Sequence, residues 1–139
     1  MDGRPFLDVA QRLVIGSTEA DWRTTVGRAY YALMLEGRSA LRRWGFAMPK
    51  GEQIHRFVRL RYAYAADADL DNVALALEQL GSLRNKADYE LEKPGPFGTN
   101  GAAIQALRMA KDALSDLDGV DVDTARRAAA VAAIKKAFH

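Results

Sequence analysis

The sequence predicts an all-α fold, an up-and-down bundle of four to five main helices followed by a basic C-terminal helix. Apolar residues recur at the three- and four-residue spacing that places them on one face of a helix. No sustained run of β-branched residues alternates with polar residues, as a strand would require. Cap residues, glycines and prolines fall between the periodic segments, and they divide the chain into separate helices.

The chain of 139 residues predicts one domain over 1–139, with a core over about 5–118 and a C-terminal helix over 121–139. Hydrophobic residues make up 49% of the chain and charged residues 27%, which is typical of a globular protein and not of a disordered one.

Stop and cap signals delimit the first two helices. A short helix is predicted near residues 5–15, ending at Gly16. The pair Ser17-Thr18 then predicts the cap of a long helix that continues to about Trp44, where Gly45 ends it. One buried face of this long helix is predicted from the spacing of Trp22, Val26, Tyr30, Leu33, Leu41 and Trp44.

The later helices are predicted over residues 52–65, 69–91, 102–117 and from 121–124 to the C-terminus. The loop EKPGPFGTNG, residues 92–101, has two prolines and three glycines and must interrupt the helical pattern. Gly119 is the predicted stop of the fifth helix. The last segment, TARRAAAVAAIKKAFH, has four basic residues and no acidic one, so it predicts a bundle helix, a dimerisation arm or a basic arm.

Charge is unevenly distributed. Residues 1–66 contain 11 basic and 6 acidic side chains, whereas residues 67–139 contain 9 and 12. Most of the basic residues are arginines, and the planar guanidinium suits a phosphate better than the ammonium of lysine does. The distribution favours a phosphate-bearing partner, with an ordinary solvated helix surface as the alternative.

The absence of cysteine excludes disulfides and thiol chemistry, and it predicts a reducing, cytoplasmic location. The N-terminal segment predicts neither a secretory signal nor a membrane span. No cofactor is predicted, because no glycine-rich phosphate loop is present. The segment DADLDNVALALE, residues 67–78, matches part of a calcium loop, but Asn72 stands where glycine is required and the pattern favours a helix start. No metal site is predicted.

The stretch LRNKADYE, residues 83–90, combines basic, acidic and aromatic side chains inside a predicted helix. Helical spacing places Arg84 and Asp88 on one face, with Asn85 and Tyr89 on a neighbouring one. One interpretation is a surface ion pair between residues one turn apart. The other is a ligand site, completed when two copies of this helix meet across the axis of a symmetric dimer.

Two segments resemble the HEPN superfamily, which is named for nucleotide binding in higher eukaryotes and prokaryotes. GRAYYALMLEGRSALRRWG, residues 27–45, resembles the R-A-Y-Y-A helix of small stand-alone HEPN proteins. His55 follows at the start of the third helix, and LRNKADYEL then resembles the R-x-x-A-D-Y signature. The resemblance covers roughly residues 18–117.

The resemblance implies a helical bundle that forms a homodimer, with an R-x4-6-H motif lining a cleft at the dimer interface. It also implies metal-independent RNA cleavage, in which arginine stabilises the charged transition state and histidine exchanges protons. Many such proteins belong to toxin–antitoxin or phage-defence modules, often beside a small nucleotidyltransferase. The resemblance therefore predicts a protein that binds RNA or a nucleotide and has possible endoribonuclease activity.

The motif histidine is replaced by Tyr89 in this chain. A tyrosine with a pKa near ~10 is a poorer general base at neutral pH than a histidine with a pKa near ~6.5. The predicted catalytic residues are Arg84, Asp88 and Tyr89, and the predicted substrate-binding residues are Asn85, Arg28, Tyr31 and His55. Structural roles remain the alternative for Arg28, Tyr31 and His55. Glu90 could also act as the base, and His55 could instead carry the proton. The alternative function is a non-catalytic module that pairs with a nucleotidyltransferase or another effector through its basic last helix.

Overall fold

A computed structural model describes residues 2–139, which contain helices and no strand. The six α-helices are α1 (Arg4–Leu13), α2 (Glu19–Arg43), α3 (Gln53–Ala63), α4 (Ala68–Tyr89), α5 (Gly101–Val122) and α6 (Thr124–Ala137). A short 3-10 turn spans Gly95–Gly98 inside the predicted loop. The all-α prediction is confirmed, and the first four helices lie within a few residues of their predicted bounds.

The long helix α2 starts at a capping box. The side chain of Thr18 accepts a hydrogen bond from the backbone of Asp21, and the carboxylate of Asp21 accepts one from the backbone of Thr18. Both bonds satisfy amides that an uncapped helix would leave without partners. The predicted cap at residues 17–18 therefore lies at Thr18.

The core forms where α2 packs against α1, α4 and α5. All residues of the predicted α2 stripe except Trp22 are buried. Burial of a large aliphatic side chain such as Leu33 contributes roughly 1.5–3 kcal/mol.

Side-chain pairings show the directions of the helices around α2. Tyr30 hydrogen-bonds to His55 and Tyr62 donates to the carbonyl of Gly37, so α3 follows α2 in the same sense. Arg23 contacts the end of α4, whereas a side-chain atom added at Gly81 would meet Tyr30, so α4 runs the opposite way. The start of α3 and the end of α4 are thereby brought to one side of α2.

The predicted stop of α5 at Gly119 is wrong, because the helix continues to Val122. Val120 is fully buried in the core, and Asp121 accepts hydrogen bonds from Trp44 at 2.8 Å and Arg43 at 2.7 Å. Burial raises the pKa of Asp121, but these hydrogen bonds and the charge of Arg43 outweigh it, so the pKa lies below its usual value. These contacts outweigh the helix cost of a glycine, which is roughly 1 kcal/mol.

The C-terminal helix α6 packs on the bundle of its own chain. Ala130 and Ile134 are buried, and Asp67 caps α4 while also pairing with Arg126 at 2.9 Å. At the end of the helix, the guanidinium of Arg61 lies between the rings of Phe57 and Phe138. Between Asp2 and His139, none of the helices has both the length and the apolar character that a membrane span needs.

Candidate phosphate-binding site

Five side chains from three helices meet on one side of α2. Tyr30 and Tyr31 come from the middle of α2, His55 from the first turns of α3, and Arg84 and Asp88 from the last turns of α4. We call these five residues the Arg84 cluster. Because its members lie far apart in the chain, the cluster depends on the packing of α3 and α4 against α2.

Arg84 is held in the cluster by one hydrogen bond and one ion pair. Its Nη2 donates to the hydroxyl of Tyr31 at 3.0 Å, and its guanidinium carbon lies 5.2 Å from the centre of that ring. Its Nε lies 3.0 Å from Oδ2 of Asp88, but the N–H is not aligned for a hydrogen bond. The contact between Arg84 and Asp88 is therefore an ion pair without a hydrogen bond.

These contacts leave much of the donor capacity of Arg84 unused. A guanidinium carries five N–H donors, and one of them is directed at Tyr31. The Arg84 side chain is 23% exposed, so a ligand can reach it from solvent. Arg84 therefore has the properties of a positioned anion-binding group.

The imidazole of His55 stacks on the ring of Tyr30, with the ring centres 5.7 Å apart. Its Nδ1 is 2.6 Å from the Tyr30 hydroxyl, and which of the two donates depends on the imidazole tautomer. Burial, and then the nearby positive charge of Arg84, lowers the pKa of His55 below its ordinary value of 6.5. The imidazole is therefore neutral near pH 7, a state that can accept a proton.

Tyr30 stays protonated at neutral pH. Burial raises the pKa of its hydroxyl, and this effect outweighs the opposing influence of Arg84 and Arg59. The sequence pattern predicts that Tyr30 lies on the buried stripe of α2, and the residue is 6% exposed. The pattern carries no signal that its hydroxyl reaches His55, because that contact crosses from α2 to α3.

Two open pockets flank the Arg84 cluster. One of about 400 Å³ is lined by residues that include Arg28, Tyr31 and Asp88. The other, of about 310 Å³, is lined by Tyr30, His55, Arg56, Arg59, Leu77, Glu78 and Gly81. Arg56 and Arg59 were not among the predicted site residues, although their three-residue spacing on a helix could have drawn attention to them.

Three of the predicted site residues lie at the edge of the cluster or outside it. Tyr89, the last residue of α4, is 73% exposed and lines a separate pocket with the loop over 90–97. Asn85 is exposed, and Arg28 is exposed with its guanidinium 5.6 Å from the ring of Phe6. Arg84, Asp88, Tyr31 and His55 are the predicted residues that the structure brings together.

A depression between α4 and α5 fits a phosphate less well. It has a volume of about 500 Å³, and its lining includes Asp112 and Asp116. Within residues 2–139, no three His, Asp or Glu side chains are grouped closely enough to hold a metal ion.

Comparisons with known proteins add no assignment, since no family model, no curated protein and no solved structure matches the chain.

Proposed function

We propose that this protein is a HEPN-type homodimer that binds RNA through Arg84 and cleaves it without a metal ion. The observation that supports this most is the convergence of Arg84, Tyr31 and His55 from three helices at one accessible place. The resemblance of residues 27–45 and 83–91 to the two HEPN signatures supports the proposed cleavage reaction and the proposed dimer. We place the protein in a toxin–antitoxin or phage-defence setting on the same resemblance.

In the proposed reaction, the ribose 2′-oxygen attacks the adjacent phosphorus and the bond to the 5′-oxygen breaks. Arg84 donates to the phosphate oxygens, where negative charge develops in the transition state. Tyr31 and Asp88 keep its guanidinium in place. The products are a 2′,3′-cyclic phosphate end and a free 5′-hydroxyl end.

His55 is better suited than Tyr89 to accept the proton of the 2′-hydroxyl. Its neutral imidazole lies in the cluster, whereas Tyr89 lies on the exposed end of α4. The imidazolium can return that proton to the leaving 5′-oxygen, which closes the proton balance. Asp88 and Tyr89 remain the alternative proton carriers, and substitution of each residue separates the three.

The test is incubation of the purified protein with total RNA and a tRNA pool in EDTA, followed by analysis of the fragment ends. Wild type should leave 2′,3′-cyclic phosphates, and Arg84→Ala should cleave at least about a hundredfold more slowly, a typical cost for loss of a transition-state donor. Arg108→Ala is the matched control, because Arg108 is exposed on α5 and outside the cluster.

The variants His55→Asn, Asp88→Asn and Tyr89→Phe then identify the proton carrier. Loss of cleavage in only one of the three variants supports the residue that it replaces. Cleavage that is equally fast in wild type and Arg84→Ala would contradict the proposal. Light scattering of both forms measures the proposed dimer independently of RNA.

A non-catalytic role as a module that pairs with a nucleotidyltransferase or another effector is the second candidate. It is favoured by the exposed Lys135 and Lys136 in the last turn of α6, the helix predicted to contact such a partner. Deletion of α6 is a poor test, because Ile134 is buried in the core. The double variant Lys135→Glu/Lys136→Glu should abolish binding to a purified nucleotidyltransferase partner, and wild type and variant should both leave RNA uncleaved in the assay above.

A further inference from the structure

The smaller of the two pockets beside the Arg84 cluster carries positive charge that the fold does not use. Arg56 and Arg59 lie three residues apart on α3, and both line this pocket. Neither takes part in the ion pairs formed among residues 2–139. The single acidic residue in the lining is Glu78, which is exposed. The pocket is therefore a net positive depression of about 310 Å³.

This pocket adjoins the Arg84 cluster. Tyr30 and His55 line the pocket and also belong to the cluster, and the guanidinium carbon of Arg84 lies 5.9 Å from the Tyr30 ring. On the other side of the cluster, Tyr31 lines the larger pocket together with Arg28. Positive groups therefore continue from α2 across α4 to α3, with the tyrosines between them.

We infer that the ligand of this site is a stretch of single-stranded RNA, with one phosphate at Arg84 and a neighbouring phosphate at Arg56 and Arg59. This inference rests on the proposed function and adds the form of the RNA to it. A mononucleotide would leave the charge of Arg56 and Arg59 unused, whereas a strand places several phosphates along such a path. Arg84 is partly covered by its neighbours, so the sugar-phosphate backbone of the RNA must bend toward it. A flexible single strand bends more readily than a duplex.

The test measures binding of labelled 2′-O-methyl oligoribonucleotides by fluorescence anisotropy in EDTA, since the blocked 2′-oxygen prevents cleavage. The central variant is Arg56→Gln/Arg59→Gln. The control is Arg108→Gln/Lys111→Gln, which removes the same charge from two exposed residues at the same spacing on α5. Thermal unfolding of each variant shows whether it is folded.

For a single-stranded ten-nucleotide probe, the central variant should lose about tenfold in affinity at 0.1 M salt and reduce the salt slope by about 1.4, which is two contacts at ~0.7 each. The control should lose less than about twofold from the change in net charge. Glu78→Gln should raise the affinity about two- to threefold, because it removes the one negative charge of the lining. AMP should bind wild type and the central variant equally.

Each outcome separates this inference from the proposed function. Equal losses in the central variant and the control, or AMP binding as tight as that of the ten-nucleotide strand, would overturn the inference. Arg84→Gln is the separate arm: if it weakens binding while the central variant does not, the function stands and the path to Arg56 and Arg59 is wrong. If Arg84→Gln binds like wild type, or wild type binds no RNA, the proposed function fails as well.

Discussion

Arg23 and Arg84 lie on two helices that pack against each other, yet the two arginines use their donors in opposite ways. Arg23 is 7% exposed and donates to the carbonyls of Lys86, Ala87 and Lys93 at 2.9–3.1 Å. Its Nε bonds to Glu19, and its guanidinium carbon lies 4.6 Å from the Phe97 ring. Arg84 has one hydrogen bond, to Tyr31, and is reached by solvent.

The difference separates a structural arginine from a candidate binding residue. The last carbonyls of a helix lack hydrogen-bond donors within the helix. Arg23 donates to such carbonyls at the end of α4 and to a carbonyl of the following loop. Arg84 donates no hydrogen bond to a backbone carbonyl, and its unused N–H donors lie near a pocket. The residue type does not predict this difference, because both residues are arginines within helices.

The largest expected effect is on Arg23. Arg23→Gln should lower the free energy of unfolding by about 3 kcal/mol, because buried carbonyls and Glu19 lose a charged partner. Urea unfolding followed by circular dichroism measures the change. Arg28→Gln, five residues later and exposed, should change it by less than about 0.5 kcal/mol. A loss below about 1 kcal/mol in Arg23→Gln would show that the buried hydrogen bonds of Arg23 do not make it a structural arginine.

A third arginine, Arg126, tests whether an ion pair can be separated from a helix cap. Asp67 accepts bonds from the backbone amides of Asp69 and Leu70 and also from the Arg126 side chain. Asp67→Ala removes both interactions and should cost about 1 kcal/mol or more, the usual value for loss of an N-cap. Asp67→Asn keeps the cap and should cost less. Equal losses in urea unfolding would assign the whole effect to the ion pair.

Glycine substitutions extend the comparison from arginines to the two faces of α2. A Cβ added at Gly27, beside the larger pocket, would meet nothing within 4 Å. Gly27→Ala should therefore stabilise the free protein by about 0.5–1 kcal/mol. Gly37→Ala is the matched control and should destabilise, because its Cβ would lie 3.1 Å from the Tyr62 ring. Thermal unfolding measures both changes. Destabilisation by Gly27→Ala would contradict the open space beside Gly27.

The smallest expected effect is that of Arg84 on stability and on the pKa of His55. Arg84→Gln should change the free energy of unfolding at pH 8 by less than about 0.5 kcal/mol, as expected for a partly exposed ion pair between residues one helical turn apart. It should also raise the pKa of His55, because the charge of Arg84 helps to lower it. Proton NMR titration follows this pKa.

The sign of the pH effect follows from that pKa. His55 binds a proton less readily in the folded state than in the unfolded state. Well above pH ~6.5 the imidazole is neutral in both states, so it does not change the free energy of unfolding. As pH falls from ~6.5 toward the folded pKa, the unfolded state binds the proton first, and the folded protein loses stability. Arg84→Gln should reduce this loss at acid pH. An unchanged His55 pKa in the variant would contradict the proximity of the two charges.

Sequence reasoning could predict interactions within one helix. The ion pair between Arg84 and Asp88 follows from their four-residue spacing, and the capping box at Thr18 follows from local chemistry. It failed at Gly119, where burial of Val120 and the hydrogen bonds to Asp121 keep the helix intact. It also missed Arg56 and Arg59, whose importance depends on which pocket they line.

The sequence by itself determined the helical class, the approximate helix bounds and the residues that share a face of one helix. Apolar periodicity and capping act over a few residues, so they can be recognised without the fold. Only the tertiary structure decided that Tyr30, Tyr31, His55 and Arg84 meet, while Tyr89 remains exposed at the end of α4. The physical reason is that contacts between helices depend on how their buried faces pack, and spacing along one helix does not determine that packing.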